Sequence, residues 1–235
     1  CRPGMMEYEL EAELLYEFDR NGAENSYWPI VASGENACVL HYQKNDARLQ
    51  DGDLVLVDAG CEYQFYASDI TRTYPINGEF TKPQRELYDV VYAANRAAIT
   101  KVQPGNHWND PHNAAVKEIT LGLRDIGILS GRLPGLIKTG AYRPFFMHRT
   151  GHWLGMDVHD VGNYKVDERW RLLEPGMVMT VEPGIYISGK ARDVPKRWRG
   201  IGIRIEDDVY LSRNGPQVLS QALPVLAEEI EDLMA

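Results

Sequence analysis

The sequence is poor in cysteine and in positive charge, and it has no long apolar run. Its three cysteines, Cys1, Cys38 and Cys61, form no CxxC pair, so we interpret them as reduced thiols and predict a cytoplasmic protein. Lysine and arginine number 25 against 34 acidic residues, a net charge of −9, which argues against a nucleic-acid partner. No apolar segment reaches the ~18–20 residues of a membrane span, and no signal peptide is visible. We therefore expect no membrane partner either.

Internal repeats, low-complexity tracts and obvious linkers are also missing, which favours one domain over residues 1–235. A chain of this length with 44% hydrophobic residues can form a core that needs no disulfide or metal staples. Because the chain starts at Cys1 and not at a methionine, we expect that a preceding segment is missing.

Helical and alternating apolar patterns both occur, which predicts an α+β fold. Ser26–Tyr42 is expected to form two short strands with His41 at the end of the second, and residues 129–143 a surface connection. Helices are expected over Met5–Phe18, from Thr81 until Pro104-Gly105 ends the pattern, from Asn109 to about Gly127, and over Pro224–Met234.

Two strongly apolar strands end in an acidic residue. Asp53–Gly60 carries Asp58 at its end, and Met177–Val181 is followed by Glu182. A buried acid is unfavourable unless it is paired or binds a cation. Asp69 follows Asp58 by 11 residues, a spacing that fits a hairpin of adjacent antiparallel strands with a short turn. Two carboxylates in contact need a shared proton or a metal, and we favour a metal.

A segment rich in histidine, His148–Asp160, indicates where the remaining groups come from. It holds three of the six histidines, with two glycines beside His152 that disfavour a regular helix. A single loop histidine is more often solvated than functional, but three together with the acids favour a site, because imidazole is a common metal ligand and proton carrier.

The last strand pattern, Gly200–Leu211, alternates strictly and places Arg204 and Glu206 on the face opposite an isoleucine stripe. A plain cross-strand ion pair between these two side chains is one interpretation, and a functional site is the other. The five candidate ligands are Asp58, Asp69, His152, Glu182 and Glu206. Four carboxylates balance two divalent cations, and oxygen-rich ligation favours Mn²⁺ over a thiolate zinc site. Two metals sharing a hydroxide are a device for hydrolysis.

These residues, in this order, resemble those of the pita-bread metallopeptidases, which include methionine aminopeptidase, prolidase and aminopeptidase P. The resemblance extends over nearly the whole chain. It is strongest to the bacterial aminopeptidase P (Xaa-Pro aminopeptidase) group, in the segments Asp53–Arg72, Phe146–Asp160, Thr180–Gly184 and Gly200–Asp208. It implies a curved antiparallel sheet with helices on its outer face and two pseudo-symmetric halves, the metals lying in the concavity.

The resemblance also implies roles for individual residues. Asp69 and Glu206 would bridge two divalent metals, most simply Mn²⁺, with Co²⁺ or Zn²⁺ as alternatives. A hydroxide between the metals would attack the N-terminal Xaa-Pro bond of a peptide. Glu182 would orient it or carry its proton, and His159 would stabilise the oxyanion. The substrate site would consist of His41, His148, His159 and Arg204.

Two features set this chain apart from the family pattern. Arg149-Thr150-Gly151 occupies positions where smaller or apolar residues are expected, so substrate access near His148 could differ. An N-terminal domain that would help to form a homo-oligomer is expected before Cys1. Prolidase activity on dipeptides, or a binding module without catalysis, remain the alternatives. The sequence does not reveal the metal, the preferred first residue or the length limit of the peptide.

Overall fold

The computed structural model describes residues 1–235 and contains five helices and thirteen strands. The helices are α1 (Glu7–Arg20), α2 (Lys82–Ile99), α3 (Asn109–Asp125), α4 (Leu133–Thr139) and α5 (Ala227–Met234). The strands are β1 (Glu24–Asn25), β2 (Ile30–Ser33), β3 (Leu54–Ala59), β4 (Cys61–Tyr63), β5 (Tyr66–Ala67), β6 (Ile70–Pro75), β7 (Lys165–Val166), β8 (Arg169–Trp170), β9 (Val178–Val181), β10 (Gly184–Ile187), β11 (Ile201–Arg204), β12 (Asp207–Ser212) and β13 (Gly215–Val218). The α+β prediction is confirmed.

Antiparallel pairing organises all the sheets. β3 lies between β2 and β6, β12 lies between β9 and β13, and β10 pairs with β11. The predicted pairing of the strands around Asp58 and Asp69 is therefore present. The connection between them is not a short turn, however, because β4 and β5 form a hairpin there that pairs with β1.

The helices α2 and α3 pack against each other, and α2 also packs against β9, β10 and β11. Their buried residues, Leu87 and Val91 from α2 and Ile119 and Leu123 from α3, join a core of 28 buried residues. The two helices approach closely at Gly122, where an added Cβ would lie 2.4 Å from Val90. The polar side chain of Asn95 on α2 is fully buried on the side of the helix that faces the strands. None of the five helices combines the length and the apolar character that a bilayer-spanning helix requires.

Three local predictions were wrong. Ser26–Tyr42 contains one strand of four residues, β2, followed by a 3₁₀ helix over Gly34–Cys38, so His41 lies in a turn. The segment 129–143 contains α4, since Pro134 is tolerated in a first helical turn and Gly140 ends the helix in the left-handed conformation. The pattern Gly200–Leu211 is two strands, interrupted at Ile205 and Glu206.

Candidate metal centre

The interruption between β11 and β12 places Glu206 in the site. The backbone N–H of Glu206 donates to the Thr71 carbonyl on β6 at 3.0 Å. This bond joins the segment between β11 and β12 to the sheet formed by β2, β3 and β6. The side chain of Asn95 donates to the carbonyls of Val181 and Ile205, at 3.0 and 3.4 Å. These carbonyls belong to the residues just before Glu182 and Glu206. A single amide on α2 therefore aligns the ends of two strands that carry candidate ligands.

The histidine-rich segment lies along β9, which explains the position of His152. The Thr180 N–H donates to the His152 carbonyl at 3.0 Å, and the Glu182 N–H donates to Thr150 at 2.9 Å. Gly151 is required here, because an added Cβ would lie 2.1 Å from the Thr180 carbonyl oxygen. A strand-like pairing thus brings His152 beside Glu182.

All five candidate ligands converge at one place. His152 Nε2 lies 3.3 Å from Asp69 Oδ2 and 3.7 Å from Glu182 Oε1. Donor atoms of Asp69, His152 and Glu206 lie within 4.8 Å of one another. Asp58 joins the group through Tyr27, whose hydroxyl lies 2.5 Å from Asp58 Oδ1 and 2.6 Å from Asp69 Oδ1.

Negative charge dominates the electrostatics of this cluster. Burial raises the pKa of Glu206 well above its ordinary value, and the neighbouring charges of Asp69, Glu182 and Asp58 raise it further. Burial also raises the pKa of Glu182 to about 7. Burial alone would raise the pKa of Asp69, but its contacts with His152 and Tyr27 outweigh this effect and lower it. Crowded carboxylates with a surplus of negative charge and one imidazole suit hard divalent cations, so this donor set fits the predicted metals.

Arg204 supplies the cluster with its one buried cation. Its guanidinium forms an ion pair with Asp58, donates to the Tyr186 hydroxyl at 3.0 Å and donates to Thr71 Oγ1 at 3.2 Å. Only 4% of the residue is exposed. The pairing with Asp58 replaces the simple ion pair with Glu206 that the alternation allowed.

The remaining candidate histidines differ in how firmly they are held. His148 Nδ1 contacts the Arg149 carbonyl at 2.7 Å and its Nε2 contacts the Tyr186 hydroxyl at 2.9 Å. Burial lowers the pKa of His148 to about 4, so its ring is neutral at pH 7. The ring of His159 lies 4.3 Å from that of His152, while His41 is exposed at the rim of the cleft.

Three further side chains contact the candidate ligands or the candidate substrate-site residues, and none of them was predicted from the sequence. Tyr27 links two aspartates, Tyr186 links His148 to Arg204, and Asp208 accepts the Asp69 N–H at 3.2 Å. Tyr186 and Asp208 lie within or beside strands that the sequence did indicate, but no motif marked their side chains. Tyr27 carried no signal, because it lies 31 residues before Asp58 and meets it only through the pairing of β2 with β3.

The cluster forms the floor of an open cavity of about 780 Å³. The candidate ligands and all four candidate substrate-site residues line it: Asp58, Asp69, His152, Glu182, Glu206, His41, His148, His159 and Arg204. A cavity of this volume accommodates a short peptide segment. The structure therefore brings together every residue that the sequence singled out for the site.

Comparison with known proteins gives a consistent result. The chain matches the model of Metallopeptidase family M24 over residues 1–213. It is 53% identical over 234 residues to a Xaa-Pro aminopeptidase of Haemophilus influenzae and 53% identical over 235 residues to that of Escherichia coli K12. These matches cover 99% and 100% of this chain but 54% and 53% of the relatives. The structure of Pseudomonas aeruginosa aminopeptidase PepP superimposes with a TM-score of 0.99 at 58% identity, covering 100% of this chain and 53% of that one.

Proposed function

The chain belongs to metallopeptidase family M24 and has the pita-bread fold, and on that premise we propose that it hydrolyses the N-terminal Xaa-Pro bond of peptides. The chain spans about half the length of the curated relatives it matches, so their activity is extended to it as a proposal. The observation that supports it best is the cluster of four buried carboxylates and His152 at the floor of a peptide-sized cleft.

In this proposal, Asp58, Asp69, His152, Glu182 and Glu206 would hold two divalent metals, and Asp69 and Glu206 would contribute to both. We favour Mn²⁺ because oxygen donors outnumber nitrogen donors four to one among these side chains; Co²⁺ and Zn²⁺ are the alternatives. Bound metals of this kind acidify a water molecule and polarise the carbonyl group of the substrate.

The side chains of the cleft then have distinct tasks. Glu182 lies 3.7 Å from both His148 and His152, a position from which its carboxylate can take a proton from the attacking water. His159 is assigned as the donor that stabilises the oxyanion. His148, held in place by Tyr186, and the exposed His41 orient the peptide. Arg204 fixes Asp58 and His148 through its contacts, so its contribution to substrate binding is indirect.

Acceptance of proline sets two requirements on the site, and they follow from the structure of the Xaa-Pro bond. An Xaa-Pro bond is a tertiary amide with no N–H group. A site that accepts it cannot depend on a hydrogen bond donated by the residue after the cleaved bond, and it must leave room for the ring.

The test is metal-dependent release of alanine from Ala-Pro-Phe. Chelator-treated protein is reconstituted with Mn²⁺ and assayed on Ala-Pro-Phe, Ala-Pro and Ala-Ala-Phe, with bound metal measured in parallel. We expect cleavage of Ala-Pro-Phe only, about two metals per chain, and loss of both in Asp69→Asn. Preference for Ala-Pro would identify a prolidase, and metal binding without turnover on any peptide would contradict the proposed activity for this chain.

We also propose a compartment, a class of partner and a domain organisation for this chain. Three cysteines without a disulfide support a reducing compartment, and hence the cytoplasm. The net charge of −9 supports a peptide partner in preference to nucleic acid, and we expect no membrane partner. We also propose that residues 1–235 form one catalytic unit of a protein that is a homo-oligomer at full length. A binding module without catalysis is disfavoured, because the whole ligand set is present.

A further inference from the structure

The cleft has a second wall whose chemistry is opposite to that of the acidic floor. Three aromatic residues, Trp108, Tyr164 and Trp170, line it together with the cations Arg149 and Lys165. None of these five residues contacts the candidate ligands in a hydrogen bond or ion pair. The proposed reaction at the floor does not use them, so the wall needs an explanation of its own.

The aromatic part of this wall is firmly built. The rings of Trp108 and Tyr164 lie 4.8 Å apart, and Trp153 stacks on Tyr164 at 5.9 Å with an interplanar angle of 2°. The backbone that carries Trp170 is tied to the start of α3. There, the Trp108 N–H donates to the Arg171 carbonyl at 2.8 Å, and His107 Nδ1 contacts the Trp170 carbonyl at 3.1 Å. The wall is therefore a preformed surface.

Arg149 is positioned on this surface but is not neutralised there. Its guanidinium carbon lies 5.1 Å from the centre of the Trp170 ring, and one of its five N–H groups is engaged, by Asn109 Oδ1. The structure contains no carboxylate within 4.0 Å of it. Lys165 belongs to β7, the strand that pairs with the strand of Trp170. Its ammonium group lies 5.0 Å from the centre of the same ring and within 4.0 Å of Glu168.

A guanidinium with free donors at the rim of a cleft is suited to bind a carboxylate. The orientation of a peptide agrees with this. Its ammonium end is attracted to the acidic floor, so the chain beyond the cleaved bond must extend along the cleft away from the floor. A short peptide carries its own carboxylate at that end.

We propose that Arg149, held against Trp170, binds a carboxylate of the substrate downstream of the cleaved bond and thereby selects short or acidic peptides. This inference rests on the proposed function for the direction of the peptide. The carboxylate could be the C-terminus of a tripeptide or the side chain of an acidic residue, since both present the same group to the guanidinium.

The test is a binding measurement on chelator-treated protein, in which no cleavage occurs. Isothermal titration calorimetry compares Ala-Pro-Phe with its C-terminal amide, for the unchanged protein and for Arg149→Gln. We expect the free carboxylate to bind about fivefold to tenfold more tightly than the amide, the range between an exposed ion pair and a charge-assisted hydrogen bond. Arg149→Gln should remove this preference, and added salt should weaken it.

Two further variants sharpen the result. Arg149→Lys keeps the charge but loses the planar fork, so part of the preference should remain. Arg124→Gln, which removes a half-buried arginine paired with Asp125 on α3, is the matched control and should keep the preference in full. Thermal unfolding of each variant shows that the fold is retained.

A third peptide, Ala-Pro-Glu-amide, identifies the source of the carboxylate. Binding as tight as that of Ala-Pro-Phe shows that a side-chain carboxylate is accepted, while binding as weak as that of the amide restricts the site to a C-terminus. Equal binding of Ala-Pro-Phe and its amide to the unchanged protein, or a preference that survives Arg149→Gln, would overturn the proposal. A carboxylate preference without turnover in the Mn²⁺ assay would contradict only the proposed activity.

Discussion

Glu206 and Asp207 are adjacent in the chain, and both are almost completely buried, yet their surroundings are opposite. Glu206 faces the carboxylates of the cleft, where burial and those charges raise its pKa. Asp207 faces away from the cleft and accepts from Arg72 and Ser220 at 2.7 Å each, as well as from Arg96. Burial alone would raise the pKa of Asp207, but the two arginines and Ser220 outweigh it and lower the pKa.

The difference shows how the fold separates a structural acid from a binding one. Asp207 receives its countercharges from within the protein, whereas Glu206 has only the Thr71 hydroxyl as a donor, at 2.7 Å. Arg72 also donates to the Glu206 carbonyl at 2.6 Å, so the satisfied network supports the backbone of the unsatisfied acid. A buried carboxylate without an ion-pair partner is suited to an external cation.

The largest effect is expected from Glu206→Gln. Loss of this proposed metal ligand should lower kcat/KM on Ala-Pro-Phe by at least about a thousandfold, beyond the 10- to 100-fold effect of outer contacts. In chelator-treated protein, the free energy of unfolding should stay the same or rise, because a charge is removed from a repulsive cluster. Bound metal and urea unfolding measure the two results. A variant that keeps two metals per chain would contradict the assignment of Glu206 as a metal ligand.

Asp207→Asn should have the opposite profile. It leaves the buried Arg72 without a countercharge, and we expect the free energy of unfolding to fall by about 3 kcal/mol, the lower end of the range for broken buried ion pairs. The lower end applies because the Arg96 side chain is 35% exposed and keeps much of its hydration. Urea unfolding with chelator present measures the loss. A loss smaller than that caused by Glu206→Gln would contradict the distinction between the two acids.

A third buried acid, Glu7, is stabilised by neutral donors and not by a cation. Its carboxylate accepts five hydrogen bonds, from Asn36, Tyr42, Ala47 and twice from Ser33. Burial alone would raise its pKa, but these hydrogen bonds outweigh it and lower the pKa below 4.5. Because the folded-state pKa lies below the unfolded one, this stabilisation is complete above pH 4.5 and is lost as the pH falls through the folded-state pKa.

Glu7→Gln should therefore lower the free energy of unfolding by about 1–2 kcal/mol at pH 7, and the difference from the unchanged protein should shrink below pH 4.5. Urea unfolding at pH 7, 5 and 4 follows the trend. The exposed Glu17, which pairs with Arg20 at the surface of the same helix, offers Glu17→Gln as a control with little effect. A difference that grows as the pH falls would refute the assigned sign.

Much of the candidate site was predictable because two signals are local. An apolar strand that ends in an acid stands out in the chain, and so does a histidine-rich segment with closely spaced glycines. The long amphipathic helices α2 and α3 also have a local signal, and their first residues were predicted to within one position. The metal assignment itself stays a prediction that these residues support.

The errors arose where a local pattern allowed two tertiary outcomes. Strict alternation over Gly200–Leu211 is equally compatible with one strand or with two that change partners at Glu206. The structure has the second arrangement, in which β11 pairs with β10, β12 pairs with β9, and the Glu206 N–H between them donates to Thr71. Pro134 and Gly135 suggested a loop, although both are tolerated in the short helix α4. Tyr27 had no motif at all.

The sequence by itself determined which acids end buried strands, which histidines cluster, and that negative charge exceeds positive charge. The tertiary structure decided which of these acids receive a countercharge from the protein. Arg72 and Arg96 neutralise Asp207, whereas Asp69, Glu182 and Glu206 meet one another at the floor of the cleft. The reason is physical: the electrostatic free energy of a buried charge depends on the distances to its neighbours, and only the folded chain sets those distances.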